Sequence, residues 1–230
     1  GEGHPHEAHA TGRRTPCYDI VGKATHMSRV RMSHIPKEEV AMKRSLKPSP
    51  FLAPMPVLMI ATYGPDGTVD VMNMAWGGIC GTDKVALNIT ETHRTVANIK
   101  ERRAFTIAVA DVAHVQEADF FGIATGNRMA DKFERSGLTA ARSEHVDAPV
   151  IEEFPLTLEC EVLEAGESVS GYRVVGRIVN VLADETVLSA DGAPDITKVN
   201  PLIFDQFHND YYALGERVAG AWAAGKGLMG

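Results

Sequence analysis

The junction between a strand and a helix is the feature of this sequence best suited to bind an anion. Residues 90–95 read Thr-Glu-Thr-His-Arg-Thr and follow an alternating apolar segment. The first turn of a helix leaves N–H groups unpaired and carries the positive end of the helix dipole. We expect Thr92 to cap this helix, and Arg94 and Thr95 to add a guanidinium and a hydroxyl in the same turn. A capped surface helix with a solvated arginine is the alternative interpretation.

A glycine-rich segment beside a large aromatic residue could hold a planar ligand. Residues 73–78 read Asn-Met-Ala-Trp-Gly-Gly at the end of a predicted strand. Glycines allow a backbone to approach a ligand closely, and backbone groups can bond to ring edges. Trp76 could stack on such a ring or border it. The alternative is a core tryptophan above an ordinary glycine turn.

A polar loop offers a third set of candidate binding groups. Residues 125–128 read Thr-Gly-Asn-Arg, and Asp-Lys-Phe follows at 131–133. The loop could therefore present a hydroxyl, backbone groups and a lysine to a ligand. The alternative is a loop that is simply solvated.

The motifs of several other enzyme classes are missing from the sequence. It holds neither a G-x-x-x-x-G-K-[ST] phosphate loop nor a G-x-G-x-x-G after a strand. The zinc motifs H-E-x-x-H and paired C-x-x-C do not occur, and neither does the serine hydrolase motif G-x-S-x-G. We interpret His114, His145 and His208 as structural residues, and no side chain is assigned as a catalytic acid or base.

Composition and charge limit the partners of the chain. The 230 residues carry 23 basic and 30 acidic side chains, a net charge of −7, which disfavours nucleic acid and anionic membrane surfaces as partners. The longest apolar run, Val57–Ala61, is far shorter than the roughly 20 residues of a membrane helix. Cys17, Cys80 and Cys160 form no disulfide framework, which predicts a reducing, cytoplasmic compartment.

The first 26 residues differ in composition from the rest of the chain. They contain His4, His6 and His9 and show no sustained apolar periodicity. We expect residues 1–26 to be a vector-derived or disordered tail, the alternative being a histidine-rich metal-binding tract. Residues 27–230 are expected to form a single domain.

Alternation of apolar and polar residues predicts a fold built mainly of β-strands. The predicted strands are 57–63, 68–74, 84–90, 104–110, 156–162 and 172–183. Helices are predicted over 93–102 and, capped by Asp111, over 112–121, with short helical stretches in 122–138 and a last turn or two in 216–224. Gly77-Gly78 is expected to break the second strand. Local turns and few crossover helices favour an antiparallel β-barrel with peripheral helices.

The order and spacing of several segments resemble the flavin reductase-like, FMN-binding split-barrel family, and in particular its flavoredoxin branch. The resemblance runs from Pro56 to Gly215. Its segments are 73–80, Arg94-x-x-x-Asn98-Ile99, 117–123, Gly126 with 131–133, 137–139 and 147–156. The resemblance implies a small antiparallel barrel with helices outside, usually a homodimer, with FMN in a cleft near the dimer interface.

The resemblance also implies a role for each candidate residue. The isoalloxazine ring would be lined by Asn73, Met74, Ala75 and Trp76. The phosphate would be held by Thr90, Arg94 and Thr95, with Thr125 and Lys132 reaching from the later loop. Tyr211 or Tyr212 would close the site, and we assign Tyr212 to this role.

Three functions are compatible with a barrel of this kind. The first is an NAD(P)H-dependent flavin reductase, with NADH or NADPH as electron donor. The second is a flavoredoxin-like electron carrier that exchanges electrons with redox-protein partners and lacks its own NAD(P)H site. The third is a binding module without a cofactor. A homodimer is expected in addition, because the apolar Met55, Met59 and Met74 would need cover.

Overall fold

The computed structural model describes residues 42–169 and 171–229. The predicted tail, residues 1–26, and its boundary with the domain lie outside the described residues. Residues 49–230 form one compact unit, and it contains every helix and strand named below.

A curled, seven-stranded antiparallel sheet forms a half-barrel at the centre of this unit. The strands are β1 Met55–Pro56, β2 Leu58–Tyr63, β3 Val69–Met74, β4 Gly77–Ile79, β5 Lys84–Ile89, β6 Ala104–Val109, β7 Ala140–Arg142, β8 Pro149–Ile151, β9 Leu156–Ser168, β10 Gly171–Ala183, β11 Ile203–Asp205 and β12 Asp210–Tyr212. The large sheet has the order β3-β2-β6-β9-β10-β5-β4. Two small sheets accompany it, β1-β11-β12 and β7-β8.

Within residues 42–169 and 171–229, four short α-helices lie outside the sheet. They are α1 Arg94–Arg102, α2 Val115–Ile123, α3 Lys132–Ser136 and α4 Ile196–Val199. Asp111 caps the helical segment that leads into α2, as predicted, and its carboxylate accepts the N–H of His114 at 3.2 Å. The described residues include no helix long and apolar enough to cross a membrane.

Two apolar clusters lie on opposite faces of the sheet. On β2, Leu58 and Ile60 belong to the cluster that contains Phe105 and Cys160. The alternate residues Met59 and Ala61 belong to the cluster under α2 and α3. This strand is therefore buried on both faces, which explains why its sequence is a continuous apolar run.

The structure confirms the mainly β fold and corrects parts of the sequence prediction. The second predicted strand ends at Met74, before the two glycines, but Gly77 and Gly78 themselves form a new strand, β4, that pairs with β5. The last two of the predicted strands correspond to β9 and β10, which are 13 residues long each and form one long hairpin. Of the last turn or two predicted at 216–224, one hydrogen-bonded turn forms, in which the Ala224 N–H donates to the Gly220 carbonyl at 3.1 Å, and a 3₁₀ turn follows at Lys226–Leu228.

The methionines do not form the uncovered surface that the sequence suggested. Met59 is fully buried and Met74 is 7 % exposed, so the chain's own core covers both. Met55, in β1, is the one of the three predicted methionines that stays partly exposed.

The buried thiol of Cys160 makes the folded protein less stable as the pH rises above 9. Burial raises the pKa of its thiol from 9.0 to about 12, and the Glu159 carboxylate adds to the shift. Between these values the unfolded chain loses a proton that the folded chain keeps, so the free energy of unfolding falls as pH rises. The slope from this group is about 1.4 kcal/mol per pH unit.

We therefore expect Cys160→Ala to flatten the decline of stability between pH 9 and pH 12, measured by urea unfolding at a series of pH values. Cys80→Ala is the matched control, because Cys80 is exposed and should leave the slope unchanged. Equal slopes for Cys160→Ala and the parent protein would contradict the prediction.

Candidate functional site

Strand β3, the start of α1 and the loop after α2 enclose a cavity of about 110 Å³. Five of the predicted site residues line it together: Asn73, Arg94, Thr95, Thr125 and Lys132. They come from four separate chain segments, and the fold brings them to one place. The sequence thus predicted the main members of this cluster.

The N-terminus of α1 opens towards this cavity. The helix begins at Arg94, and its N-cap residue is His93 in an extended conformation, with no side-chain cap. The prediction that Thr92 caps the helix is therefore wrong. The backbone carbonyl of Thr92 instead accepts a hydrogen bond from Asn127 Nδ2 at 2.9 Å, which ties the helix start to the polar loop. The N–H groups of Val96 and Ala97 bond to the His93 carbonyl, so without a side-chain cap those of Arg94 and Thr95 remain available to a ligand.

A buried carboxylate, Asp70, fixes the first turn of α1. The Thr95 hydroxyl donates a hydrogen bond to Asp70 Oδ2 at 2.8 Å, and both residues are buried. Asp70 also approaches the polar loop so closely that a Cβ atom on Gly126 would overlap its Oδ1. Glycine is therefore required at position 126 for the loop to pass this carboxylate.

Lys132 is a buried residue that lines the cavity and contributes a positive charge to it. Its ammonium donates hydrogen bonds to the carbonyls of Val71 at 2.6 Å and Phe121 at 3.2 Å. Burial lowers the pKa of this lysine, and the neighbouring Asp70 carboxylate partly opposes the shift. Two of the three ammonium donors are occupied, so one remains for a ligand.

Arg94 forms no close ion pair with a described residue, although the Asp66 carboxylate interacts with its charge at longer range. Its side chain is half-buried, and its guanidinium donates no hydrogen bond to any described residue. It lies between the 110 Å³ cavity and a neighbouring cavity of about 140 Å³ near Asp66. An arginine held this way can fork onto two oxygens of an anion.

Asn73 is held by contacts that leave its amide group in one orientation. Its Nδ2 donates to the Ala118 carbonyl at 2.8 Å and to the Tyr211 hydroxyl at 3.3 Å. The Tyr211 hydroxyl in turn donates to Asp119 Oδ1 at 3.1 Å. The pKa of Tyr211 is raised, first by burial and then by the Asp119 carboxylate.

The remaining predicted residues do not line this cavity. Met74 and Ala75 are buried, while Trp76 is 47 % exposed at the start of β4. Thr90 is exposed at the end of β5. Tyr212 is 54 % exposed, and it is its neighbour Tyr211 that reaches Asn73.

Sequence analysis missed Asp70, which was treated only as part of a returning strand. The available signal was a carboxylate between two valines in an otherwise apolar strand, since such a residue is seldom buried without a partner. Among the described residues no group of His, Cys, Asp or Glu could hold a metal ion. A separate cavity of about 430 Å³, between β7–β8 and the β9–β10 hairpin, contains none of the predicted site residues.

These groups together suit a phosphate-bearing ligand. An uncapped helix start, the Arg94 guanidinium and a buried lysine supply positive potential to one cavity, while Asp70 adds a negative charge to its lining. Helix N-termini and cationic side chains favour an anion.

Comparisons with known proteins give a consistent result. A family model described as "Flavin reductase like domain" matches residues 52–212. The chain is 40 % identical to a flavoredoxin of Desulfovibrio vulgaris (Miyazaki F), covering 80 % of this chain and 100 % of that one, with a TM-score of 0.77. For a flavoredoxin from Methanosarcina acetivorans the identity is 26 %, the coverage 82 % and 100 %, and the TM-score 0.75. An uncharacterized protein of Aquifex aeolicus is 20 % identical over 161 residues, 66 % of this chain and 80 % of that protein.

The close approach of Asp70 and Gly126 leads to a test of the site's construction. Gly126→Ala should force the loop or the carboxylate to move, lowering the free energy of unfolding by about 1–3 kcal/mol. Gly122→Ala is the control, because its Cβ would meet Asn73 at an ordinary 3.5 Å and alanine favours the helix. In urea unfolding, the free energy of unfolding should therefore be higher for Gly122→Ala than for Gly126→Ala. Equal stability of the two variants would show that the loop does not need the missing side chain.

Proposed function

Because the chain belongs to the flavin reductase-like, FMN-binding split-barrel family, we propose that it is an FMN-dependent oxidoreductase whose phosphate site is the start of α1. The observation that carries this proposal is the convergence of Arg94, Thr95 and Lys132 on one cavity at an uncapped helix N-terminus. The preferred activity is an NAD(P)H-dependent flavin reductase.

The phosphate end of FMN would be held mainly by α1. The free N–H groups of its first turn, the Arg94 guanidinium and the remaining Lys132 donor would point at the phosphate oxygens. The Thr95 hydroxyl is already donated to Asp70, so Thr95 would contribute through its backbone N–H. Thr125 would add a hydroxyl from the loop on the opposite wall, and Thr90 lies close in sequence, at the end of β5.

The ring of FMN would lie towards the junction of β3 and β4. Both amide N–H groups of Asn73 are donated within the protein, so its Oδ1 is the atom left for a ligand. That oxygen can only accept a hydrogen bond, which suits an N–H on a flavin ring edge. Met74 and Ala75 would support the ring from the strand, and the exposed Trp76 would border it, with Tyr211 or Tyr212 beyond.

The chemistry requires little more from the side chains than binding and orientation. Bound FMN would supply the hydride and electron transfer. The residues at the site then hold the cofactor, and we assign no side chain as a general acid or base. An NADH or NADPH donor would approach from the side of Trp76, where the structure leaves the aromatic ring half exposed.

A flavoredoxin-like electron carrier is the second candidate. The 40 % identity to the Desulfovibrio flavoredoxin over its whole length favours it. Such a carrier would bind the same FMN through the same residues but would accept electrons from a protein partner and not directly from a nicotinamide.

We also propose a homodimer in the cytoplasm. Apolar side chains such as Trp76 and Ile79 are exposed on the single chain, and exposed apolar patches mark partner surfaces. The two described cysteines, Cys80 and Cys160, are free thiols, which supports a reducing compartment.

The absorption spectrum of the purified, FMN-loaded protein distinguishes the two redox functions. If the protein is a reductase, NADH or NADPH added without air should bleach the flavin band rapidly. If it is a carrier, only dithionite should bleach it rapidly. A protein that cannot take up FMN would contradict both.

The phosphate assignment predicts a difference between two flavins. Arg94→Ala should weaken FMN binding by about 10- to 100-fold, since charge-assisted hydrogen bonds are worth roughly 1.5–3 kcal/mol and ~1.4 kcal/mol is a factor of ten. Riboflavin lacks the phosphate, so its affinity should change little. Arg94→Lys should recover only part of the loss, because an ammonium cannot fork onto two oxygens.

Arg135→Ala is the matched control for this experiment. Arg135 is exposed, pairs with Asp131 and does not line the cavity. Its replacement should leave both affinities unchanged in a fluorescence titration. If Arg94→Ala weakened FMN and riboflavin equally, Arg94 would be a structural residue and the phosphate would lie elsewhere.

A further inference from the structure

A buried carboxylate lies at the 430 Å³ cavity, which shares no lining residue with the proposed FMN cavity. Glu159 on β9 is completely buried. Its strand neighbours Leu158 and Cys160 pack in or against one core cluster, and successive side chains of a strand point to opposite faces. Glu159 therefore belongs to the other face of β9, which it shares with the cavity.

Two neutral side chains hold this carboxylate in place. The Ser143 hydroxyl donates a hydrogen bond to Oε1, and the Asn180 amide donates one to Oε2 at 2.5 Å. The same Ser143 oxygen accepts the backbone N–H groups of His145 at 3.0 Å and Val146 at 2.9 Å. The loop between β7 and β8, which forms one wall of the cavity, is therefore built around Glu159.

The negative charge of Glu159 has no close cationic partner. No described lysine or arginine forms an ion pair with it, and His145 Nε2 lies 4.0 Å from Oε2, beyond hydrogen-bonding distance. A carboxylate offers about four lone-pair sites, and the two hydrogen bonds from Ser143 and Asn180 occupy only two of them. Because a buried charge is costly unless it is paired, this carboxylate is suited to receive a cation from outside the chain.

A second buried polar group at the cavity also lacks a partner. Thr157 lies two residues before Glu159 on β9, on the same face of the strand, and is 1 % exposed. Thr157 lines the cavity, yet its hydroxyl makes no hydrogen bond to any residue of 42–169 or 171–229. A buried hydroxyl left in this way is destabilising, and its lone pairs can accept a hydrogen bond from a ligand.

The remaining walls indicate what else a ligand would carry. Ile151, Phe154 and Leu182 supply apolar surface to the cavity. The other charged residues of the lining are three acids and one arginine: Glu144, Glu152, Asp184 and Arg142. The lining therefore favours a positive charge over a negative one, with an apolar group beside that charge. A volume of about 430 Å³ lies within the range of small-molecule sites.

We propose that this cavity binds a small organic cation, namely a primary ammonium that carries an apolar chain or ring. The ammonium would donate hydrogen bonds to the Glu159 carboxylate and the Thr157 hydroxyl, and its apolar group would lie against Phe154 and Leu182. It would take the place beside Oε2 that the His145 ring approaches, and that ring can turn away because its side chain is 49 % exposed. A metal ion suits the site less, because the described residues bring no group of three His, Cys, Asp or Glu side chains together.

Two probes of the same shape test the requirement for a positive charge. The full chain at neutral pH would be titrated with phenethylamine and with phenethyl alcohol, and binding would be followed by isothermal titration calorimetry. We expect saturable binding of the amine and binding of the alcohol that is about tenfold weaker or more, because only the amine forms a charge-assisted hydrogen bond with Glu159.

Thr157→Val separates a role in binding from a role in the fold. Valine has nearly the same shape but no hydroxyl, so the change should weaken phenethylamine binding by about two- to tenfold. The free energy of unfolding, measured in urea, should stay the same or rise, because the lost hydroxyl had no partner in the folded chain. A threonine needed only for the fold would instead lower stability and leave the amine affinity unchanged.

Glu159→Gln removes the charge and should weaken amine binding by about 10- to 100-fold. Glu161→Gln is the matched control, since Glu161 lies two residues further along β9, pairs with Arg177 and does not line the cavity. It should leave the amine affinity unchanged. Should Glu159→Gln fail to fold, the decision rests on Thr157→Val and on the comparison of the two probes.

Several outcomes would overturn the proposal. They are an absence of saturable phenethylamine binding, equal affinities for the amine and the alcohol, and parental binding by Thr157→Val. Loss of amine binding in the presence of saturating FMN would also overturn it, because the amine would then occupy the flavin site. Failure of the protein to bind FMN would contradict the proposed function and leave this inference standing, since the two cavities have no lining residue in common.

Discussion

The buried carboxylate of Asp70 is the constraint on which the site depends. It accepts the Thr95 hydroxyl, lies against Gly126 and acts on the charge of Lys132, so three chain segments are positioned by one side chain. A carboxylate in this position has two opposite effects. It fixes the first turn of α1 and favours the charged form of Lys132, but it also adds a negative charge beside a cavity that otherwise attracts anions. The cavity still suits a phosphate, because the positive charges of Arg94 and Lys132 and the positive end of the α1 dipole together exceed the negative charge of Asp70.

The half-barrel explains how residues far apart in sequence come to this place. β3 is one edge of the sheet and carries Asp70 and Asn73. Helices α2 and α3 pack against that strand, so the Ala118 carbonyl and Lys132 approach it from outside. β4 is the opposite edge in strand order, yet only Ala75 and Trp76 separate it from β3. The binding residues and this opposite edge are therefore neighbours along the chain.

The sequence predicted those strands and helices whose formation depends on interactions between residues close in the chain. The alternating strand at the start of β9 and the helix predicted over 93–102 could be predicted because each depends on residues close in sequence. The Thr92 cap was wrong because α1 begins one residue later than predicted, which makes His93 the N-cap residue. Asp70 was missed because its partner Thr95 is 25 positions away. At 216–224 the structure forms a single hydrogen-bonded turn, because Gly220 disfavours a longer helix and the segment is largely exposed.

The most direct test of the central claim is to observe the backbone N–H groups of α1 while a flavin binds. In a ¹H–¹⁵N correlation spectrum, FMN should shift the amide signals of Arg94 and Thr95 strongly downfield, because these groups would donate to the phosphate. Riboflavin should leave those two signals in place while still shifting Trp76 at the ring end. If both flavins moved the Arg94 and Thr95 signals equally, or neither did, the phosphate would not lie at the start of α1.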